Sequence, residues 1–244
     1  MTFCIGIKVR EGIVALADTR IVKGSEQSNK QKLAGLQHAE NVLFTMTSGL
    51  RSVRDKTVIY LDEALRNDSQ PKLRMYEVVN MFGEQLRRVK SEDGPSLAAT
   101  GHTFNLNAII GGRLPDDDEP QLFYVYPEGN WVEAAVDLPY FIIGRTPYGK
   151  PVLDRLLTYE TPLKEALTLA LLAFDATRTS VTDVDCPIDV AVMTSTCLEP
   201  TFQRFSEQDL HSALQWWSQS MSDALKATPM DWADSLFPPG TSDA

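Results

Sequence analysis

The sequence predicts an α+β fold built in layers. Strand and helix signals come in runs rather than in strict alternation, which argues against a parallel βαβ sheet. The chain opens on a hairpin signal. Its 244 residues are 43% hydrophobic and 23% charged, enough to bury a sizeable core. At ~150 residues per domain, the length corresponds to one or two domains.

The elements follow in order. Phe3, Ile5, Ile7 and Val9 alternate with Cys4, Gly6, Lys8 and Arg10, the period of a half-buried strand. Glu11-Gly12 signals a turn, and Ile13 to Ala17 a second strand. Lys23 to Gln31 reads as a polar loop. Asn41 to Thr47 reads as a strand that Ser48-Gly49 breaks. Two helices are predicted next. Arg51 to Arg66 sets Val53, Thr57, Tyr60, Leu61, Ala64 and Leu65 on one broad face; Met75 to Val89 does the same with Val78, Val79, Phe82 and Leu86. Strand signals return at Asn107–Gly111, Leu122–Tyr126 and Tyr140–Ile143. Helical patterns resume at Gly149–Leu157 and Leu163–Phe174, before a strong strand at Ile188–Thr194. Ser206 caps a last helix, Glu207 to Lys226, with Asp209 in the capping-box position. Residues 227–244 hold three prolines and read as an extended tail. The expected division is a domain over 2–205, then a helix and tail over 206–244 that pack on it or on a neighbouring subunit.

Composition excludes several functions. Lys plus Arg is 23 against 33 Asp plus Glu, a net charge of -10 with no basic stripe. That weighs against nucleic acid and against an anionic membrane surface. No apolar run of ~18 residues exists, and Lys8, Arg10 and Glu11 interrupt the apolar start too early for a secretory signal. Cys4, Cys186 and Cys197 are odd in number and widely spaced, as reduced thiols of a cytoplasmic protein are. No P-loop, GxGxxG or GxSxG occurs, and no metal or cofactor is expected. Asp116-Asp117-Asp118-Glu119 lacks EF-hand spacing and reads as a solvated turn. His38, His102 and His211 read as surface or capping residues.

Thr2 is the sharper candidate. Removal of Met1 leaves a free threonine whose α-amine, with a reference pKa of about 8, sits beside its own hydroxyl. Threonine with its N-terminal amine as base is a known activated nucleophile. A hairpin turning at Glu11-Gly12 carries Asp18, at the end of the second strand, close to Thr2. Lys32 follows the polar loop, and an ammonium near the threonine hydroxyl lowers the hydroxyl's pKa. Gly49 after the third strand lets a backbone N–H approach a tetrahedral oxyanion.

Thr2, the Gly12 hairpin, Asp18-Thr19-Arg20, Lys32-Leu33 and Thr47-Ser48-Gly49 resemble, in order and nearly in spacing, a proteasome-type β subunit of the N-terminal-nucleophile hydrolases, with an Asp18-to-Lys32 loop about two residues shorter than usual there. Residues 141–151 (Phe-Ile-Ile-Gly-Arg-Thr-Pro-Tyr-Gly-Lys-Pro), Phe174-Asp175-Ala176-Thr177 and the longer C-terminus resemble the bacterial Anbu, or ancestral β-subunit, group. The resemblance implies a four-layer αββα sandwich and a threonine peptidase or amidase working through an acyl-enzyme. It also implies self-assembly into a ring or an open helical oligomer. It assigns Asp175 and Ser180 to the nucleophile's amine, and Ile21, Thr47 and Arg51 to the first specificity pocket. Arg51 there favours an acidic side chain. Arg20 supports the Asp18 region. The stretch Ile143-Gly144-Arg145-Thr146 lacks the serine that β subunits place against the amine. A non-catalytic assembly protein and a small-molecule amidase are the rival readings.

Overall fold

The computed structural model describes residues 2–23, 26–38, 41–68 and 73–236; Met1, whose removal is expected above, and the last part of the tail, 237–244, lie outside them. The chain divides into two compact units, residues 1–207 and 208–244.

The first unit holds two five-stranded sheets. One has the order β10 (Tyr140–Gly144), β1 (Phe3–Val9), β2 (Gly12–Asp18), β11 (Ile188–Thr194), β12 (Thr201–Phe205). The other has the order β5 (Leu33–His38), β6 (Asn41–Gly49), β7 (Leu106–Gly112), β8 (Gln121–Val125), β9 (Trp131–Glu133). All pairings within them are antiparallel. Helix α4 (Leu163–Arg178) packs on β1 and β2 with α3 (Lys150–Leu156) beside it, and α1 (Arg51–Asn67) and α2 (Met75–Ala99) cover the second sheet. The result is a four-layer αββα sandwich.

Both β1 and β2 are buried on both faces, rather than the one that alternation implies. Phe3 meets Phe174 of α4, while Cys4 and Gly6 face the second sheet. Two of the positions that interrupt the apolar pattern, Cys4 and Gly6, are small and buried rather than solvated. A Cβ on Gly6 would lie 3.0 Å from Ile109 and Leu122. Small residues there let the two sheets close over Ile13, Phe44, Met46 and Met193. Each large apolar side chain so buried contributes about 1.5–3 kcal/mol.

Several elements depart from the sequence expectations. The polar loop is largely a two-stranded hairpin, β3 (Arg20–Lys23) with β4 (Glu26–Asn29), held by its ladder rather than by apolar pattern. Helix α2 runs ten residues past Val89, through Pro95. Its extension is tied to α1: Lys56 Nζ reaches Glu92 and Asp93, each at 2.7 Å, and the Tyr60 hydroxyl donates to Glu92 at 2.8 Å. His38 is 4% exposed on β5, not on the surface. His102 is exposed beside Thr100, 3.1 Å from its hydroxyl.

Asp117 is the other correction. It is buried, and its carboxylate accepts the N–H of Leu114 at 2.9 Å and that of Met75, the first residue of α2, at 3.0 Å. Burial pushes its carboxyl above the ordinary range, against those two donors. A carboxylate at a helix start stabilises orphan N–H groups and the helix dipole together.

In the second unit, α5 (Glu207–Ala227) is followed by a short 3-10 helix, Asp231–Leu236, where the sequence suggested an extended tail. Trp216, Leu225 and Trp232 of this unit are 68%, 74% and 75% exposed.

Asp117→Ala is expected to lower the unfolding free energy by about 2 kcal/mol, read as a lower denaturant midpoint. An unchanged midpoint contradicts the capping role.

Candidate active site

Strand pairing builds the site. The β1–β2 register sets Cys4 opposite Ala17, so the next step along the hairpin brings Asp18 to the start of β1. The Phe3 N–H donates to Asp18 Oδ1 at 2.8 Å. Asp18 is fully buried. Lys32, immediately before β5, donates through Nζ to both Asp18 oxygens at 2.8 Å and to the Arg20 carbonyl at 2.7 Å. Leu33 pairs with Met46, which sets Lys32 level with Thr47 at the same end of the second sheet. Burial pushes the Asp18 carboxyl above its ordinary range, while the Lys32 ammonium and the Phe3 N–H pull the other way. Three hydrogen bonds from two donor groups, one of them an ammonium, are the coordination of an ionised carboxylate.

The neighbours of Asp18 are fixed in turn. The Thr19 hydroxyl donates to the Pro187 carbonyl at 2.7 Å. Arg20 pairs with Asp185 at 2.9 Å and donates to the Thr182 carbonyl at 3.1 Å, so its own carbonyl is held where Lys32 meets it.

Two glycines line the cleft with Thr2. Gly144 has φ +92°, and a Cβ there would lie 1.8 Å from the Thr2 carbonyl oxygen; the next N–H, of Arg145, donates to that oxygen at 2.8 Å. Gly49 has φ +142°, and its Cβ would lie 2.2 Å from the Asn105 carbonyl oxygen. Any side chain at either position displaces backbone rather than a flexible neighbour.

Thr2, Lys32 and Gly49 open onto one cleft of ≈ 960 Å³, with Ile21, Thr47 and Arg51 also on its walls. Thr2 is 9% exposed. The hydrogen bonds of Asp175 and Ser180 run elsewhere. Asp175 accepts Arg178 Nε at 3.0 Å, one turn on along α4, and Arg178 also meets Asp185 and Glu207. The Ser180 hydroxyl donates to the Ala176 carbonyl at 2.9 Å. Cys4, two residues after Thr2, is wholly buried, and burial pushes its thiol far up.

Sequence reasoning missed Asp183, Lys30, Arg54 and Asn105. Arg145, whose backbone holds Thr2, pairs through its side chain with Asp183 at 3.0 Å. Lys30, Arg54 and Asn105 line the cleft. Lys30 lies in what reads as a featureless polar loop, and Asn105 and Asp183 lie between elements, where periodicity gives no signal. Arg54 alone had a signal, standing one turn after Arg51 on the same helix face.

Asp18→Asn is expected to destabilise the protein by about 3–5 kcal/mol, because it strands the Lys32 charge; adding Lys32→Met should recover much of that loss in denaturant unfolding. A neutral single variant contradicts a buried ion pair at this position.

The family profile described as "Proteasome subunit" matches residues 2–193. Proteasome subunit beta 1 of Pyrobaculum neutrophilum is 26% identical over 198 residues, covering 80% of this chain and 90% of that protein. Among solved structures, an Anbu (Gly-1) mutant from Hyphomicrobium sp. strain MC1 superposes with a TM-score of 0.84 at 31% identity, covering 94% of this chain and 98% of that one. The structure titled the helical assembly of the Anbu complex from Pseudomonas aeruginosa gives 0.85 at 27% identity, covering 99% and 100%. The sandwich, the cleft at the start of β1 and these matches agree: the chain belongs to the proteasome subunit family, with Anbu proteins as its structural neighbours.

Proposed function

We propose that this chain is an N-terminal-threonine hydrolase of peptide or amide bonds, working in the cytoplasm. The observation that supports it most is the buried Asp18–Lys32 pair: Asp18 holds the Phe3 N–H next to Thr2, and Lys32 lines the cleft with Thr2. In the encoded chain the Thr2 nitrogen is part of a peptide bond. Removal of Met1 frees it as an amine that titrates near neutral pH.

The amine takes the proton of the Thr2 hydroxyl, and the oxygen attacks the substrate carbonyl carbon. The Gly49 N–H receives the oxyanion. Lys32 lowers the hydroxyl's pKa through its charge, and Asp18 keeps that charge in place. The C–N bond then breaks, and the leaving nitrogen takes the proton from the Thr2 ammonium. An ester remains on Thr2 Oγ. Water, deprotonated by the amine, attacks this ester and releases the acid. Arg145 and Asp183 are positioning residues in this scheme. They fix the turn that grips the Thr2 carbonyl, beside the place where β subunits carry a serine.

The missing serine, the engagement of Asp175 with Arg178 and that of Ser180 with the Ala176 carbonyl favour a second reading, a weakly active or non-catalytic assembly protein. Both readings include self-association. The exposed Trp216, Leu225 and Trp232 of the second unit suit burial against another copy of the chain. Among the described residues, no helix is long and apolar enough to cross a membrane.

Thr2→Ala is expected to lower turnover of fluorogenic peptide amides by about a thousandfold or more while leaving the elution volume in size-exclusion chromatography unchanged. Full turnover in that variant overturns the proposal.

A further inference from the structure

The charge of the cleft is opposite to that of the chain. The protein carries a net charge of -10, yet the charged side chains among the described cleft-lining residues are Lys30, Lys32, Arg51 and Arg54, with no Asp or Glu among them. Lys32 is committed to Asp18. Arg51 and Arg54 both turn to Asp55, at 3.2 Å and 2.5 Å, so two guanidiniums share one carboxylate and one positive charge remains. The Lys30 ammonium has no carboxylate partner among the described residues; only its backbone is engaged, donating to the Thr19 carbonyl at 2.7 Å. The cleft therefore keeps two uncompensated positive charges beside the nucleophile.

The start of α1 adds to this. The helix is 17 residues long, its N-cap is Leu50, which offers no capping side chain, and its first turn holds no acid. Its N–H groups and the positive end of its dipole lie next to Gly49 and Arg51, at the cleft. Ile21 and Leu106 give the same cleft apolar wall for methylene groups. An anionic head on a short apolar stem matches that lining, whereas a lysine or arginine side chain would be repelled.

We infer that the cleft selects substrates carrying an acidic side chain, glutamate above all, on the residue whose carbonyl is attacked. This rests on Thr2 being the nucleophile. It makes Lys30, Arg51 and Arg54 specificity residues, with Lys30 supplying an uncompensated charge from the hairpin β3–β4 and the two arginines supplying a second from α1.

The test is kcat/KM of the full-length protein, freed of Met1, for three fluorogenic peptide amides that differ only in carrying Glu, Leu or Lys before the scissile amide. The glutamyl peptide should lead the leucyl one by about tenfold or more, with the lysyl peptide last. Its lead should shrink as NaCl is raised to about 0.5 M, because cleft and substrate charges are screened. Lys30→Gln and Arg54→Gln should each lower the glutamyl-to-leucyl ratio several-fold, and Lys30→Glu should raise the lysyl peptide relative to the glutamyl one. A fold defect lowers all three rates together and leaves these ratios alone. Leucyl turnover equal to or above glutamyl overturns the acidic preference and leaves the threonine nucleophile standing. Ratios unmoved in both glutamine variants overturn the roles of Lys30 and Arg54. No turnover of any of the three peptides overturns both the preference and the nucleophile.

Discussion

The Asp18–Lys32 ion pair is the constraint on which the site depends. Asp18 ends a strand of one sheet and Lys32 precedes a strand of the other, so the pair spans the two sheets at one end of the sandwich. Taking both charges out of water is expensive, and a well-packed apolar pair of similar size would be as stable or more so. The pair is therefore poor evidence of stability and better evidence of function, since buried charge partners in a cleft are where chemistry is arranged. Everything nearby serves its geometry. Arg20 is pinned by Asp185 so that its carbonyl can receive the lysine, and the β1–β2 register sets Phe3 N–H on the carboxylate.

The backbone around Thr2 is equally determined. Gly144 and Gly49 stand where a Cβ would strike a carbonyl oxygen, of Thr2 in one case and of Asn105 in the other. The cleft is thus framed from two sides. One side is the turn after β10, through Arg145 N–H. The other is the turn after β6, which leads into α1 and brings Arg51 and Arg54 to the cleft. A single short segment thereby supplies Gly49, proposed as the oxyanion donor, together with the helix terminus and two of the cations.

Much of this was legible in the sequence, for physical reasons. Strong periodicity at residues 3–9, 13–17 and 188–194 and the long apolar faces at 51–66 and 75–89 report burial directly, so the layers could be read. Polar residues were harder, because their partners are distant in sequence. Asp117 looked like one acid in a solvated run and is a buried helix cap. His38 reads as a surface residue and is buried on β5. Cys4 and Gly6 looked like a solvent face and are the small contacts that let the sheets approach. The candidate site divides along the same line. Thr2, Asp18 and Lys32 are tied together by one hairpin and one strand pairing, which local pattern reveals. Asp175 was placed by resemblance, and its carboxylate lies with Arg178. Lys30, Asn105 and Asp183 sit in connections, where no periodic signal points to them.

In the proposed mechanism Thr2, once unmasked, is a competent nucleophile. Intact-mass spectrometry of the native protein after exposure to a peptide epoxyketone tests it most directly, because that reagent requires both the free amine and the hydroxyl of an N-terminal threonine. Loss of Met1 and one covalent adduct per chain, absent in Thr2→Ala, are the expected result. Retained Met1, or a Met1-free chain that takes up no adduct, contradicts it.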